Sequence, residues 1–175
     1  MILKLKRTPA IYLVGFMACG KSTVGRALAD ELGWSFIDLD DEIERREAST
    51  IASIFDTRGE NVFRELETAA LRERVRAVQM GRPQVVSLGG GAFLSPENFE
   101  LAANNGVTVW LDCPLSTIER RVAGGTHRPL ARDPFRLREL FEERRESYQR
   151  ADFRVDILDD DVRAAIAQIL AFPLF

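Results

Sequence analysis

The chain has 175 residues, of which 46% are hydrophobic and 29% are charged. This balance is ordinary for a globular protein and too apolar for an intrinsically disordered one, and the length fits one domain covering 1–175. The net charge of −3 and the pI near 5.4 give no general attraction for nucleic acid or for an anionic membrane. Any anionic ligand would therefore have to bind a local cluster of cations.

Cys19 and Cys113 are the only cysteines, too few for a disulfide framework. We therefore expect a reducing, cytoplasmic location. The first apolar segment, 10–17, is too short to span a membrane and has no plausible cleavage site, so we predict neither a signal peptide nor a transmembrane helix.

Short apolar runs alternate with longer amphipathic stretches along the chain. The apolar runs predict five mostly buried strands, at 11–14, 36–37, 85–88, 107–111 and 153–157. The amphipathic stretches predict eight helices, at 21–32, 41–47, 50–56, 59–80, 96–104, 115–123, 134–150 and 159–170. Pro96 and Pro134 suit first-turn positions, and Ser95 suits an N-cap. The alternation predicts an α/β fold of three layers, α/β/α, around a five-stranded parallel sheet.

Residues 15–22 read GFMACGKS and match the phosphate-binding pattern GxxxxGK[ST] between a predicted strand and a predicted helix. Backbone N–H groups of such a loop and the positive end of the helix dipole cradle nucleotide phosphates. Lys21 should reach the β- and γ-phosphates, and the Ser22 hydroxyl should bind Mg²⁺. The alternative is a glycine-bearing turn without a ligand. The predicted nucleotide contacts here are Gly15, Ala18, Cys19, Gly20, Lys21, Ser22 and Thr23. A reactive Cys19 thiolate is a further hypothesis beside a small residue that simply fits.

Two carboxylates, Asp38 and Asp40, follow the second predicted strand at the sheet edge where open α/β folds bind ligands. Phosphoryl transfer needs one carboxylate near the metal and another that orients the attacking hydroxyl, so we assign Asp38 to Mg²⁺ and Asp40 to the acceptor. The competing explanation is stabilisation of a helix N-terminus, which we favour for Asp41.

Further along, the irregular segment 124–133 predicts a mobile loop, on which His127 is a surface residue.

Three more segments carry a resemblance to a known family: GENVFRELE at 59–67, SLGGGA at 87–92 and RPL at 128–130. Together with the phosphate loop and the two aspartates, they resemble the shikimate kinases in order and spacing from about residue 15 to 148. The resemblance implies a P-loop fold of the nucleoside-monophosphate-kinase type and a cytoplasmic, monomeric enzyme. It also implies transfer of the γ-phosphate of ATP to the 3-hydroxyl of shikimate, giving shikimate 3-phosphate and ADP in aromatic amino acid biosynthesis.

The resemblance also implies roles for single residues. The shikimate-binding set is Asp40, Arg64, Gly89, Gly90, Gly91 and Arg145, the last within RESY at 145–148. Arg128 would lie on a lid at about 122–134 and stabilise charge on the transferred group, while Arg121, or the neighbouring Arg120, would pack against adenine. The catalytic set is then Lys21, Asp40 and Arg128.

The chain departs from the family pattern in two places. Ala18 stands where a glycine is usual, although we expect the loop to keep its fold. After the last strand, Asp159, Asp160 and Asp161 stand where the family has a hydroxyl residue, a basic residue and a proline, so the preference for ATP over GTP follows from the resemblance alone. The alternatives are a kinase for gluconate or an aminoshikimate, and a nucleotide-binding protein without catalysis.

Overall fold

The computed structural model of the protein describes residues 10–123 and 133–174. Its strands are β1 Ala10–Val14, β2 Ser35–Asp38, β3 Gln84–Ser87, β4 Val107–Asp112 and β5 Phe153–Asp156. They form one parallel sheet in the order β2-β3-β1-β4-β5. The predicted α/β fold with a five-stranded parallel sheet is confirmed.

Eight α-helices connect or follow these strands in the described residues. They are α1 Lys21–Leu32, α2 Leu39–Glu47, α3 Ile51–Arg58, α4 Glu60–Gln79, α5 Pro96–Asn105, α6 Leu115–Ala123, α7 Pro134–Tyr148 and α8 Val162–Leu170. A short 3-10 helix, Ala92–Leu94, precedes α5. Ser95 caps α5 by accepting the N–H of Asn98, and proline opens both α5 and α7, as predicted.

Two helix starts differ from the predicted ones by more than one residue, for a physical reason. We predicted α2 from Asp41 and α8 from Asp159, whereas the helices begin at Leu39 and Val162. In each case the aspartate directly before the helix accepts N–H groups of the first turn and fixes the start. We had favoured Asp41 for the start of α2 and had named no cap for α8, whereas the caps are Asp38 and Asp161.

The core lies on both faces of the central strands. Every residue of β1, β3 and β4 is buried, whereas the edge strands β2 and β5 are partly exposed. The chain proceeds to one side of β1 for β2 and β3 and to the other side for β4 and β5. Such a switch opens a crevice beyond the carboxyl ends of the strands, where ligands bind in open α/β sheets. No helix in residues 10–123 and 133–174 combines the length and apolarity needed to cross a membrane.

Candidate active site

The loop between β1 and α1 turns through three residues of positive φ: Gly15 (146°), Ala18 (59°) and Gly20 (100°). An added Cβ on Gly15 would lie 2.7 Å from the carbonyl oxygen of Leu111, so glycine is required there. Ala18 takes the left-handed conformation in spite of its Cβ, at a cost of about 1 kcal/mol. The loop thus keeps the curled shape of a phosphate cradle, as we expected.

Lys21 and Ser22 open α1 directly after this loop. The Lys21 ammonium donates to the carbonyl oxygens of Gly15 (2.8 Å) and Phe16 (2.9 Å). The Ser22 hydroxyl donates to Asp38 Oδ2 at 2.5 Å. The structure therefore brings together the two predicted metal-binding residues, both of which offer the oxygen ligands that Mg²⁺ prefers.

Asp38 has a second task at the start of α2. Its Oδ1 accepts the N–H groups of Asp40 (3.1 Å) and Asp41 (3.4 Å), so Asp38 is the N-cap. Asp41, which we had favoured for the cap, lies in the first turn, where it is exposed and pairs with Arg26 at 3.7 Å. Asp38 thus combines the helix cap with the contact to Ser22, because its two oxygens face different elements.

Asp40 projects from the first turn of α2 into the crevice. Its Oδ1 is buried and has no hydrogen-bond partner among the described residues. Burial, and then the negative charge of Asp38, raise its pKa to about 6, although Lys21 acts in the opposite direction. An unpartnered carboxylate of raised basicity is suited to accept a hydrogen bond, and then a proton, from a ligand hydroxyl.

The turn after β3, which we call the glycine turn, consists of Gly89, Gly90 and Gly91. An added Cβ would lie 2.7 Å from Asp40 Oδ1 at Gly89, 3.1 Å from an Arg144 nitrogen at Gly90, and 2.5 Å from an Arg64 nitrogen at Gly91. A side chain at any of the three positions would press against a charged side chain of the crevice, most closely at Gly89 and Gly91. The turn therefore lies against Asp40 and Arg64, two other members of the predicted shikimate-binding set.

Arg64 reaches the glycine turn from α4 and is held by two carboxylates on its own helix. It donates to Glu67 at 2.9 Å and to Glu60 at 3.3 Å. Glu67 is fully buried, and its Oε1, which has no partner in the described part of the chain, would lie 2.9 Å from a Cβ on Gly89. Burial raises the pKa of Glu67 to about 7, against the opposing effect of Arg64. Sequence reasoning assigned no role to Glu67, although its spacing of three residues from Arg64 on a helix was a usable signal.

One cleft of about 1260 Å³ connects the phosphate loop with the glycine turn. A single drug-sized ligand needs about 300–1,000 Å³, so the cleft has room for a nucleotide beside a smaller molecule. Its lining includes the predicted residues Ala18, Cys19, Gly20, Lys21, Ser22, Thr23, Asp38, Asp40, Arg64, Gly90 and Arg121.

The cleft brings together the curled loop after β1, the neighbouring oxygens of Ser22 and Asp38, the unpartnered Asp40 Oδ1 and two arginines. A sequence model of the shikimate kinase family matches residues 17–172. The chain belongs to the shikimate kinase family.

Individual relatives agree with this membership. The shikimate kinase of Persephonella marina is 43% identical over 146 residues, which cover 83% of this chain and 87% of that relative. The shikimate kinase of Synechococcus elongatus is 37% identical over 164 residues, or 91% of this chain and 84% of the relative.

Solved structures give the same result. A shikimate kinase from Acinetobacter baumannii in complex with shikimate is 36% identical, with a TM-score of 0.85, and covers 94% of this chain and 92% of that one. A gluconokinase from Sinorhizobium meliloti is 20% identical, with a TM-score of 0.57 and coverage of 93% and 92%, and shares the fold alone.

Arg145, predicted from the shikimate kinase resemblance to bind shikimate, does not line the cleft. Its guanidinium pairs with Asp112 at 3.2 Å and lies 5.6 Å from the ring centroid of Trp110. The preceding residue, Arg144, does line the cleft, as do Arg136 and Leu140 of the same helix. The geometry therefore favours Arg144 over Arg145 for contact with a ligand in the cleft.

Helix geometry explains why Arg144, and not Arg145, faces the cleft. The buried face of α7 contains Leu137, Phe141 and Tyr148, and Arg144 falls on this face at three and four residues from its neighbours. The Tyr148 hydroxyl donates to the carbonyl oxygen of Gly90 at 2.5 Å and fixes the rotation of the helix. The next residue, Arg145, is turned about 100° away. Spacing of four from Tyr148 was the signal that could have identified Arg144.

Arg121, the arginine that we predicted to pack against adenine, lies at the phosphate loop. Its Nη1 donates to the carbonyl oxygen of Ala18 at 2.8 Å. Arg120, the alternative, is 65% exposed and pairs with Asp160 at 3.4 Å. The geometry therefore favours Arg121. Cys19 is buried under the loop, with its Sγ 3.8 Å from the Lys21 ammonium.

Arg128, the third predicted catalytic residue, and His127 lie outside the described residues. The same applies to most of the predicted lid at 122–134. Only its ends are described: α6 ends at Ala123, and Asp133 caps α7 by accepting the N–H of Arg136 at 3.0 Å.

Proposed function

We propose that this chain transfers the γ-phosphate of ATP to the 3-hydroxyl of shikimate, producing shikimate 3-phosphate and ADP. One observation carries the proposal: the phosphate loop and the groups around the glycine turn face one cleft, with the unpartnered Asp40 carboxylate between them. This geometry supports in-line transfer, in which positioning and charge neutralisation provide most of the catalysis.

The phosphate loop would hold the nucleotide. Backbone N–H groups of 15–20 would bind the phosphates, and Lys21 would exchange its two carbonyl contacts for phosphate oxygens. Ser22 and Asp38 would hold Mg²⁺, which neutralises phosphate charge when it is bound. Separation of Ser22 from Asp38, now 2.5 Å apart, would open that position.

Shikimate carries one carboxylate and three hydroxyls, and the other half of the cleft offers complementary groups. Arg64 and Arg144 are the cations nearest to the glycine turn, and guanidinium groups pair with carboxylates through two parallel hydrogen bonds. Arg144 Nε is buried without a partner among the described residues, as expected of a group that awaits a ligand. We therefore replace Arg145 by Arg144 in the proposed substrate site.

Asp40 would accept the hydrogen bond of the 3-hydroxyl and take its proton as the bond to phosphorus forms. Its raised pKa, about 6, brings its basicity closer to neutral pH than that of an ordinary aspartate. Arg128, on the basis of family resemblance, remains our prediction for stabilising the transferred phosphoryl group. The single domain over 1–175, the monomeric state and the cytoplasmic location likewise remain predictions.

The proposal is tested by coupling ADP release to a spectrophotometric assay with and without shikimate, at saturating ATP and Mg²⁺. We expect ADP release to require shikimate. Gluconate and an aminoshikimate are tested as comparison acceptors. Release that gluconate stimulates more than shikimate would support the alternative kinase. Tight nucleotide binding without release in the presence of any acceptor would support a non-catalytic protein.

A further inference from the structure

The three consecutive aspartates after β5 have separate contacts. Asp161 caps α8 by accepting the N–H groups of Arg163 (2.9 Å) and Ala164 (3.2 Å). Asp159 accepts the N–H of Asp161 at 2.9 Å and so stabilises the same loop. Asp160 points instead toward α6, where its Oδ1 lies 2.5 Å from Arg121 Nη2.

Arg121 is held from two sides. Its Nη2 meets Asp160, and its Nη1 donates to the carbonyl oxygen of Ala18 in the phosphate loop. The same Nη1 lies 3.8 Å from Cys113 Sγ at the end of β4. Arg121 is 24% exposed against 65% for Arg120, although both meet Asp160. Two anchors on different nitrogens fix the plane of a guanidinium group as well as its position.

The fixed guanidinium borders the nucleotide half of the cleft. We call the three aspartates 159–161 the acidic loop. Ile157 and Val162, which lie on either side of it, line that half of the cleft together with Arg121. A planar cation beside apolar side chains is a suitable seat for a purine ring, because guanidinium groups stack on aromatic faces. A residue that fixes the guanidinium plane would therefore act on base binding without touching the base.

We propose that Asp160 is a positioning residue for the nucleotide base: its carboxylate holds the Arg121 guanidinium flat against the phosphate loop, where the base of the nucleotide stacks on it. The identity of the ligand as ATP or ADP rests on the proposed function. The acidic loop then compensates for the missing basic residue and proline of the family pattern, because it immobilises an arginine supplied by α6. Asp160 is 70% exposed, so solvent screens the pair and the effect on binding is modest.

The test is the affinity of the full-length protein for MgADP, measured by isothermal titration calorimetry without shikimate. We expect Asp160→Asn to weaken binding about two- to fivefold, the range of an exposed ion pair. Asp160→Glu should recover part of the loss, and the KM for shikimate should stay unchanged. Asp159→Asn is the matched control, because it removes one charge from the same loop while its amide oxygen still accepts the N–H of Asp161; it should bind MgADP as the parent does.

A double-mutant cycle separates positioning from general charge or stability effects. If Asp160 acts through Arg121, then Asp160→Asn should have no further effect on MgADP affinity in an Arg121→Gln background. An equal loss in both backgrounds, or unchanged affinity in Asp160→Asn, would overturn the inference. Because no acceptor is present, the result is independent of whether shikimate is the substrate: a failure of shikimate-dependent turnover with the coupling intact would contradict the proposed function alone.

Discussion

Arg144 and Arg145 have the same chemistry and differ in their surroundings. Arg144 lies against Gly90 and 5.9 Å from the Phe16 ring centroid, inside the cleft. Arg145 lies outside the cleft, where it pairs with Asp112 and packs over the Trp110 ring. The Arg144 guanidinium faces the cleft and keeps a buried Nε without a partner in the described residues, so it can pair with a substrate carboxylate. The Arg145 guanidinium is already paired with Asp112 and contributes to the packing of α7.

We expect Arg144→Ala to lower kcat/KM for shikimate by at least about 30-fold, equivalent to about 2 kcal/mol, because truncation leaves the substrate carboxylate without a buried partner. Arg145→Ala is the matched control and should stay within about threefold of the parent, because Arg154 still pairs with Asp112 at 3.0 Å. Steady-state kinetics with both variants, after their folding is checked by circular dichroism, decide between the two. Equal losses would contradict the assignment.

The two arginines also show what could be read from the sequence. The phosphate loop, the five strands and the Asp38 and Asp40 positions were predictable because each depends on a local pattern. The choice between adjacent arginines depends on the rotation of α7, which the contact of Tyr148 with Gly90 fixes across 58 residues of chain. The place of Glu67 in the site was missed for a similar reason, since only the fold brings its oxygen beside that of Asp40.

At the scale of elements, α2 and α4 are joined by a network of charges. Glu42 of α2 is 6% exposed and pairs with Arg46, with Arg45 at 3.9 Å and with Arg74 of α4 at 3.2 Å. Glu73 of α4 pairs in turn with Arg46 at 2.7 Å. Because α2 carries Asp40 and α4 carries Arg64, this network fixes the distance between the proposed base and a proposed substrate cation.

We expect Glu42→Gln to lower the free energy of unfolding by about 2–3 kcal/mol, because three guanidinium groups lose a buried partner. The KM for shikimate should rise as the two helices loosen. Glu47→Gln is the control, because it removes a carboxylate of the same helix that pairs with Arg58 at 2.5 Å. The Arg58 side chain is 44% exposed, so this substitution should lower the free energy of unfolding by less than about 1 kcal/mol. Urea denaturation of both variants measures the difference, and equal costs would contradict the proposed role of the network.

At the scale of the whole molecule, the buried Glu67 couples stability to pH. Its pKa is raised to about 7 in the folded state, mainly by burial, above the 4.5 of an exposed glutamate. Between these values the folded state binds more protons than the unfolded state, so stability falls as pH rises through this window. The difference corresponds to about 3 kcal/mol, fully developed above pH 7.

We therefore expect the free energy of unfolding of the parent, relative to Glu67→Gln, to fall by about 3 kcal/mol between pH 4.5 and pH 7.5 and to level off beyond. Chemical denaturation across this range measures it. Glu60→Gln, which removes the exposed carboxylate partner of Arg64, should leave the pH dependence of the parent intact. A difference between the parent and Glu67→Gln that is constant or rises with pH would contradict the burial argument.

The proposed reaction moves the γ-phosphate of ATP to a shikimate hydroxyl that Asp40 aligns. The most direct measurement is ³¹P NMR of a reaction with ATP, Mg²⁺ and shikimate, which follows the γ-phosphate itself. We expect a phosphate monoester of shikimate to appear in step with ADP, at a rate about 10²–10⁴-fold lower in Asp40→Asn. ADP accompanied only by inorganic phosphate, or an undiminished rate in Asp40→Asn, would contradict the account.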